Sequence, residues 1–172
     1  MSVRPILIAP DPRLKLVSEP VTGVDDHIRT LVADMVETMY DAEGIGLAAI
    51  QVGVAKRILV LDVEQKEERR NPRVFINPII TWSSEATAVM EEGCLSVPEI
   101  WDEVERSQAI KAEYLDADGV LQSLEAEGIL AVCLQHEMDH LNGVLFVDHL
   151  SKLKRSMALK KLAKAKKLKK AS

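Results

Sequence analysis

Apolar residues recur along this chain with two different spacings, and each spacing predicts a different kind of element. Residues 25–40 carry apolar side chains three, four and seven positions apart, which predicts a helix with one buried face. Asp25 or Asp26 is expected to cap its start. β-branched residues are concentrated in three segments that we predict to be strands, residues 57–63, 74–82 and 86–91.

Turn residues and small residues predict where loops separate the elements before residue 125. Residues 116–119 read DADG, a strong hairpin signal, and predict that a strand at 104–115 pairs with one at 120–124. Residues 44–53 are mostly small and predict a loop, and the charged stretch 65–73 predicts an exposed loop.

A second helix is predicted at residues 128–141, and it is apolar nearly all round. Such a helix should be central and buried, and Asn142-Gly143 should end it. A short extended piece at 144–147 and a basic helix from 151 to 172 are expected to follow. Because the strands come before the central helix rather than alternating with helices, we predict an α+β fold.

The buried helix carries the most informative residues of the chain, His136, Glu137 and His140. Positions four apart lie on one face of a helix, so both imidazoles are able to bind one divalent metal ion. Glu137 would then lie beside the metal, where it can take the proton of an activated water molecule.

A catalytic metal site usually has three protein ligands and an open position for water. Asp148 and His149 are the candidates downstream of the histidines, but Cys94, in a glycine-containing turn after a predicted strand, is the better one. Cys133 is a rival thiol, although the helix would point it parallel to the imidazoles. A Cys/His/His set suits zinc or ferrous iron.

The charge of the chain is divided unevenly along its length. Ten of its 22 Lys and Arg residues and none of its 27 Asp and Glu residues lie at positions 151–172, although the net charge is −5. We therefore divide the chain into a catalytic body at residues 1–150 and a basic tail at residues 151–172. The charge of the tail predicts that it binds an anionic partner; the alternative is that the tail is a helix whose lysines are simply solvated. The absence of a membrane-length apolar run and of a signal peptide, and the presence of only two cysteines, favour a cytoplasmic protein without a disulfide framework.

Three motifs occur together in this chain: GIGLAAIQ at 44–51, EGCLS at 92–96 and QHEMDHLNG at 135–143. In this order the chain strongly resembles peptide deformylase, up to about residue 150. The resemblance implies mixed or antiparallel β-sheets packed around the motif helix. It also implies hydrolysis of the N-formyl group from the starting methionine of new polypeptides, with release of formate. The implied cofactor is Fe²⁺, which Zn²⁺, Ni²⁺ or Co²⁺ can replace.

The resemblance also implies roles for individual residues. The metal ligands would be Cys94, His136 and His140, with Glu137 as the catalytic acid–base. The oxyanion would be stabilised by Gln51 and by the backbone N–H of Leu95. The remaining implied residues pair with the substrate backbone: Gly44, Ile45 and Gly46.

A pocket for the methionine side chain is expected beside the histidines, because several apolar residues share their helix face. The residues predicted to line it are Ile45, Ile129, Val132 and Cys133. Glu92 and Asp139 are expected to orient ligands or to pair with Arg106. Some relatives carry a basic residue shortly after EGCLSVP, where this chain has Glu99 to Glu103, and Trp101 is a candidate to replace its contacts.

The implied partners are the nascent polypeptide and, through the basic tail, the ribosome; no membrane is involved. One alternative is a zinc endopeptidase with the same helix motif, which would need a downstream ligand or a cleft for internal peptide bonds. A second alternative is a ribosome- or RNA-binding module without enzymatic activity.

Overall fold

The computed structural model describes residues 2–65 and 69–171 of the chain. Its helices are α1 (Asp26–Asp41), α2 (Gly128–Leu141) and α3 (Lys152–Ala171). Its strands are β1 (Gly46–Ala48), β2 (Ile58–Leu61), β3 (Arg73–Ser83), β4 (Thr87–Cys94), β5 (Val97–Ser107), β6 (Ala109–Leu115) and β7 (Leu121–Glu127). The predicted α+β class is confirmed.

All of the strands pair antiparallel, in two sheets. The larger has the order β1-β2-β3-β6-β7, and β4 and β5 form a separate pair. The prediction of a single strand at 104–115 is wrong, because Gln108 separates β5 from β6. The Gln108 N–H donates to Ala86, so the residues before it pair with β4 and those after it with β3 and β7.

The predicted hairpin is confirmed between β6 and β7. Leu115 faces Leu121, and the Asp116 carboxylate accepts the N–H groups of Asp118 and Val120. Gly119 has φ of +77°, a left-handed conformation that glycine adopts without strain.

Three other expectations need correction. The predicted loop at 44–53 contains β1 and a 3₁₀ turn, Ala49–Val52. The extended piece expected at 144–147 ends after residue 145, because a 3₁₀ turn, Phe146–His149, begins there. The exposed loop predicted at 65–73 gives way to β3 at Arg73, and its residues 66–68 lie outside the described part.

Helix α1 confirms the first predicted helix with a shift of one residue. The Asp25 carboxylate accepts the N–H of Ile28 and so caps the helix. Its apolar face buries Met35 and Met39 completely against β1 and β2.

Helix α2 has the predicted bounds and packs against β1, β2, β5, β6 and β7. Its last carbonyl, at Leu141, accepts hydrogen bonds from Ser18 N–H at 2.8 Å and from Arg57 Nη1 at 3.1 Å. A guanidinium at the negative end of the helix dipole is favourable. After the helix, Gly143 approaches Lys15 so closely that a Cβ would lie 2.3 Å from its carbonyl oxygen.

Helix α3 lies on the body of the molecule rather than away from it. Ala158 and Leu162 are buried against the cluster that contains Val104 and Phe146. None of the helices in the described part of the chain combines the length and apolar character that crossing a membrane requires.

Candidate metal centre

Three potential metal ligands meet where α2 passes the end of β4. His136 and His140 lie one helical turn apart, with ring centroids 5.2 Å from each other. Cys94 is the last residue of β4, and its Sγ lies 3.4 Å from His140 Nε2. The ligand atoms of the three residues all lie within 4.8 Å of one another.

Cys94 points to the helix because the β4–β5 ladder is irregular at that position. The register shifts between Glu92 and Cys94, and the chain turns so that Cys94 faces Val97. Val97 is completely buried, which fixes the turn against the core. The strand end therefore presents a thiol across the gap to the two imidazoles.

The orientation of the His136 ring is fixed by a hydrogen bond to Glu92. Its Nδ1 lies 2.8 Å from Glu92 Oε1, so this nitrogen carries the proton and Nε2 faces the site. Burial disfavours the charged ring, but hydrogen bonds to Cys94 and Glu92 outweigh burial and raise the pKa of His136 to about 10. Such an anionic environment attracts a cation, which would displace the proton.

His140 is completely buried, and burial together with the nearby charge of His136 lowers its pKa well below the usual value. A neutral imidazole is the form that binds a metal. The two imidazoles and the thiol therefore match the donors of a divalent cation such as zinc or ferrous iron.

Glu137 lies beside the ligands and is 5% exposed. Burial raises its pKa to about 7, although the positive charges of His136 and Arg106 oppose the shift. A carboxyl group that titrates near neutral pH can both accept and return a proton. Gly46 leaves the space that the group occupies, since a Cβ there would lie 2.7 Å from Glu137 Oε1.

Gln51 is almost completely buried and contacts Cys94. Its Oε1 accepts the N–H of Ala48, while Nε2 donates to Ser96 Oγ at 3.0 Å and to Cys94 Sγ at 3.5 Å. The amide N–H group is therefore held towards the thiol. Ser96 belongs to the EGCLS motif, but its contact with Gln51 was not predicted from the sequence.

A cavity of about 490 Å³ opens beside the ligands. Its walls include all four residues predicted for the methionine pocket, together with other site residues: Gly44, Ile45, Gly46, Cys94, Leu95, Ile129, Val132, Cys133, His136 and Glu137. Gln51 and His140 are buried and do not line the cavity. Trp101 also lines the cavity and is 66% exposed. Its indole packs directly on Gly93, where a Cβ would lie 2.4 Å from the ring.

The rival ligands are placed elsewhere. Burial raises the pKa of Cys133 to about 12, so it remains a neutral thiol in the cavity wall. Asp148 accepts hydrogen bonds from Lys15 and from Leu145 N–H. His149 contacts Asp139.

A chain of charged residues supports the site, as expected for Glu92, Arg106 and Asp139. Arg106 Nε and Nη2 donate to the two oxygens of Glu92 at 2.6 and 2.9 Å, and Nη1 donates to Asp139 at 2.8 Å. Burial raises the pKa of Glu92, but hydrogen bonds from His136 and Arg106 outweigh it, so the net pKa is lowered. Glu92 therefore remains ionised against His136.

Cys94, His136 and His140 would hold a divalent cation, and the cavity and Glu137 beside them would leave room for a water molecule and for proton transfer. Fold and site together define the class of metal-dependent hydrolases with one metal ion.

Comparison with known proteins gives the particular family. A sequence model of the family "Polypeptide deformylase" matches residues 3–156. A peptide deformylase of Rhizobium meliloti (strain 1021) is 59% identical over 165 residues, covering 96% of this chain and 95% of the relative. The crystal structure of the Ehrlichia chaffeensis peptide deformylase has 46% identity and a TM-score of 0.93, covering 98% of this chain and 99% of that one. The chain belongs to the polypeptide deformylase family.

A further similar structure is that of the Ehrlichia chaffeensis enzyme in complex with actinonin, at 49% identity, a TM-score of 0.90, and coverage of 96% of this chain and 98% of that one. This chain is accordingly an enzyme that removes the N-terminal formyl group from newly made polypeptides by hydrolysis and releases formate. The same comparisons weigh against an endopeptidase and against a non-enzymatic binding module.

Proposed function

We propose that this deformylase holds one divalent cation with Cys94, His136 and His140, and that Glu137 transfers the proton of the reaction. The observation that carries the proposal is the convergence of three ligand atoms within 4.8 Å beside a buried carboxyl group. When bound, such a cation polarises the formyl carbonyl and lowers the pKa of water from 15.7 towards about 7.

Glu137 acts twice in this mechanism. Its ionised form takes a proton from the attacking water, and the resulting carboxylic acid gives that proton to the departing amide nitrogen. A pKa of about 7 makes both steps accessible at neutral pH. Because the group is buried, the proton is passed to the substrate rather than to bulk water.

The oxyanion that forms on the formyl group needs donors that are already oriented. We assign this role to the Gln51 side-chain amide and the Leu95 backbone N–H. Ala48 and Ser96 hold Gln51 by hydrogen bonds at 2.9 and 3.0 Å, so little reorganisation is needed. Loss of one such donor typically lowers kcat about 10²–10³-fold.

The substrate backbone adds as a strand beside β1. This strand is at the edge of its sheet, and β4 also has only one partner. Asp62 N–H bonds the Ile45 carbonyl, so the inner edge of this segment is satisfied by β2. The backbone groups of Gly46 point the other way by the alternation of a strand, and they are available to an extended peptide.

The methionine side chain of the substrate enters the cavity between Ile45, Ile129, Val132 and Cys133. These walls are apolar and lie next to the proposed metal ligands. Beyond the second substrate residue we assign the contact to Trp101, whose exposed indole flanks the opening. Its breadth offers an apolar surface to the following residue.

We further propose Fe²⁺ as the cation in the cell, with Zn²⁺, Ni²⁺ or Co²⁺ able to replace it. Imidazole and thiolate ligands suit all four ions, so ligand type alone permits the exchange. The test is to purify the enzyme without oxygen, quantify bound metals, and measure turnover of formyl-Met-Ala in the same sample. Iron content that does not track activity would contradict the assignment.

The ligand set is tested with Cys94→Ala. We expect this variant to lose most of its bound metal and at least about 10²-fold in kcat/KM on formyl-Met-Ala. A blocked internal peptide serves as the control substrate, and it should not be cleaved by either protein. A Cys94→Ala enzyme that kept its metal and full rate would overturn the proposed site.

We also propose that helix α3 binds the ribosome, and that the enzyme acts in the cytoplasm on emerging chains. Its exposed face carries lysines such as Lys160, Lys161 and Lys164, which suit phosphate contacts. Because α3 buries Ala158 and Leu162 against the body, charge reversal of these lysines is a cleaner test than deletion. Ribosome affinity should fall, and wild-type binding should weaken with salt; binding insensitive to both would refute the proposal.

A further inference from the structure

The 3₁₀ turn Phe146–His149 contacts the metal centre by two routes. The Phe146 ring stacks on His136 with centroids 6.1 Å apart and an interplanar angle of 26°. At the other end of the same turn, His149 Nε2 lies 2.8 Å from Asp139 Oδ2. Nothing in the reaction described above uses His149.

The second route continues inward through a line of charged groups. Asp139 Oδ2 also accepts a hydrogen bond from Arg106 Nη1 at 2.8 Å. Arg106 in turn donates hydrogen bonds to both carboxylate oxygens of Glu92. Glu92 Oε1 then binds His136 Nδ1 at 2.8 Å. His149 is thus the outermost member of a continuous chain that ends on a proposed metal ligand.

The members of this chain become more exposed with distance from the ligand. The side chains of Glu92 and Arg106 are each 5% exposed, that of Asp139 is 26% exposed and that of His149 is 39% exposed. The inner pair is held by its packing as well as by its bidentate contact. Asp139 faces the groove that Glu105 and Gln135 also line, so its carboxylate depends on its partners for a fixed orientation.

We infer that His149 is a positioning residue for the metal centre, and that it acts through Asp139, Arg106 and Glu92 on His136. His149 holds Asp139 Oδ2 in the position in which it accepts the hydrogen bond from Arg106 Nη1. Arg106 then keeps Glu92 against His136 Nδ1, and His136 Nε2 remains directed at the cation. The inference rests on the proposed ligand set, and its readout is metal affinity rather than turnover.

The test compares His149→Phe, which keeps a planar ring without a hydrogen-bonding nitrogen, with His149→Gln, which retains a donor. Zn²⁺ affinity of the full-length protein is measured by competition with a chromogenic chelator. Loss of an outer partner typically costs about 10–100-fold in metal affinity, and because His149 is further out we expect about 3–10-fold for His149→Phe. His149→Gln should recover most of this loss.

Two controls separate positioning from a general effect on the fold. His27→Phe makes the same change on the exposed start of α1 and should leave Zn²⁺ affinity unchanged. In an Asp139→Asn background, His149→Phe should cost nothing further, because the connection is already broken. Unchanged affinity in His149→Phe, or an equal loss in both backgrounds, would overturn the inference. Failure of wild-type protein to bind Zn²⁺ would instead refute the ligand set.

Discussion

Val132 lies one turn before His136 on α2, and it is only 5% exposed because it closes the wall of the cavity. A Val132→Phe side chain would fill space that we assign to methionine. We expect KM for formyl-Met peptides to rise about tenfold or more, since a pocket discriminates by about 1–3 kcal/mol per methylene-sized change. Steady-state kinetics and metal analysis on the same sample provide the measurement.

Leu130→Phe is the matched control for this prediction. Leu130 is on the same helix, but it packs on the core beside Leu134 and outside the cavity wall. Its variant should show normal KM even where stability falls. Unaltered kinetics in Val132→Phe would refute the pocket assignment.

Individual site residues differed in how far the sequence could locate them. His136 and His140 were predictable because helical geometry alone brings them together. Cys94 was favoured over Cys133 by its turn, but its approach to His140 depends on an irregular β4–β5 ladder that no local pattern encodes. The contact of His149 with Asp139 was not foreseen for the same reason, since a 3₁₀ turn replaced the expected extended piece.

At the scale of elements, Asp148 joins the 3₁₀ turn Phe146–His149, whose first two residues are buried in the core, to its neighbours. Asp148 Oδ2 accepts Lys15 Nζ at 2.6 Å and Leu145 N–H at 2.9 Å, and Arg155 Nε of α3 lies 3.1 Å from Oδ1. Burial raises the pKa of Asp148, but these partners outweigh burial, so the net pKa is lowered. One carboxylate therefore joins the N-terminal segment, the turn and the last helix.

We predict that Asp148→Asn destabilises the protein at pH 7 by about 1.5–3 kcal/mol, the range for hydrogen bonds to a charged group. Because the folded pKa lies below the unfolded value, the charge stabilises the fold above about pH 4 and loses this effect as pH falls through the folded pKa. The difference between wild type and variant should therefore shrink at pH 3. Urea unfolding at both pH values measures it, with exposed Asp118→Asn as the control. An equal difference at both pH values would contradict the charge-based account.

The long helices were predicted correctly from the spacing of their apolar residues, and the short strand β1 was not predicted. Helix α2 has the expected bounds because a mostly apolar stretch of fourteen residues ends at the Asn142-Gly143 turn. Strand β1 is only three residues long, and two of the three are Gly46 and Ala48, so it was predicted to be a loop. The break at Gln108 was missed because partner choice between β4, β3 and β7 is a long-range property.

On the scale of the whole molecule, the proposed cation would connect the small sheet to the central helix, because Cys94 comes from β4 and the histidines from α2. A ligand that binds only the folded chain adds stability, about 4.1 kcal/mol at a concentration 1,000 times its Kd. We predict that Tm falls when a chelator removes metal and rises again with added Zn²⁺. In Cys94→Ala this dependence should largely disappear. A Tm that is indifferent to metal in the wild-type protein would speak against a cross-linking role.

Cys94 and His140 are 46 positions apart in the chain. With the proposed ligands, a copy of this enzyme that is still being synthesised would have no complete metal site until His140 had emerged and α2 had docked. Every newborn polypeptide, including the next copy of this one, would then rely on molecules in which this segment has already folded.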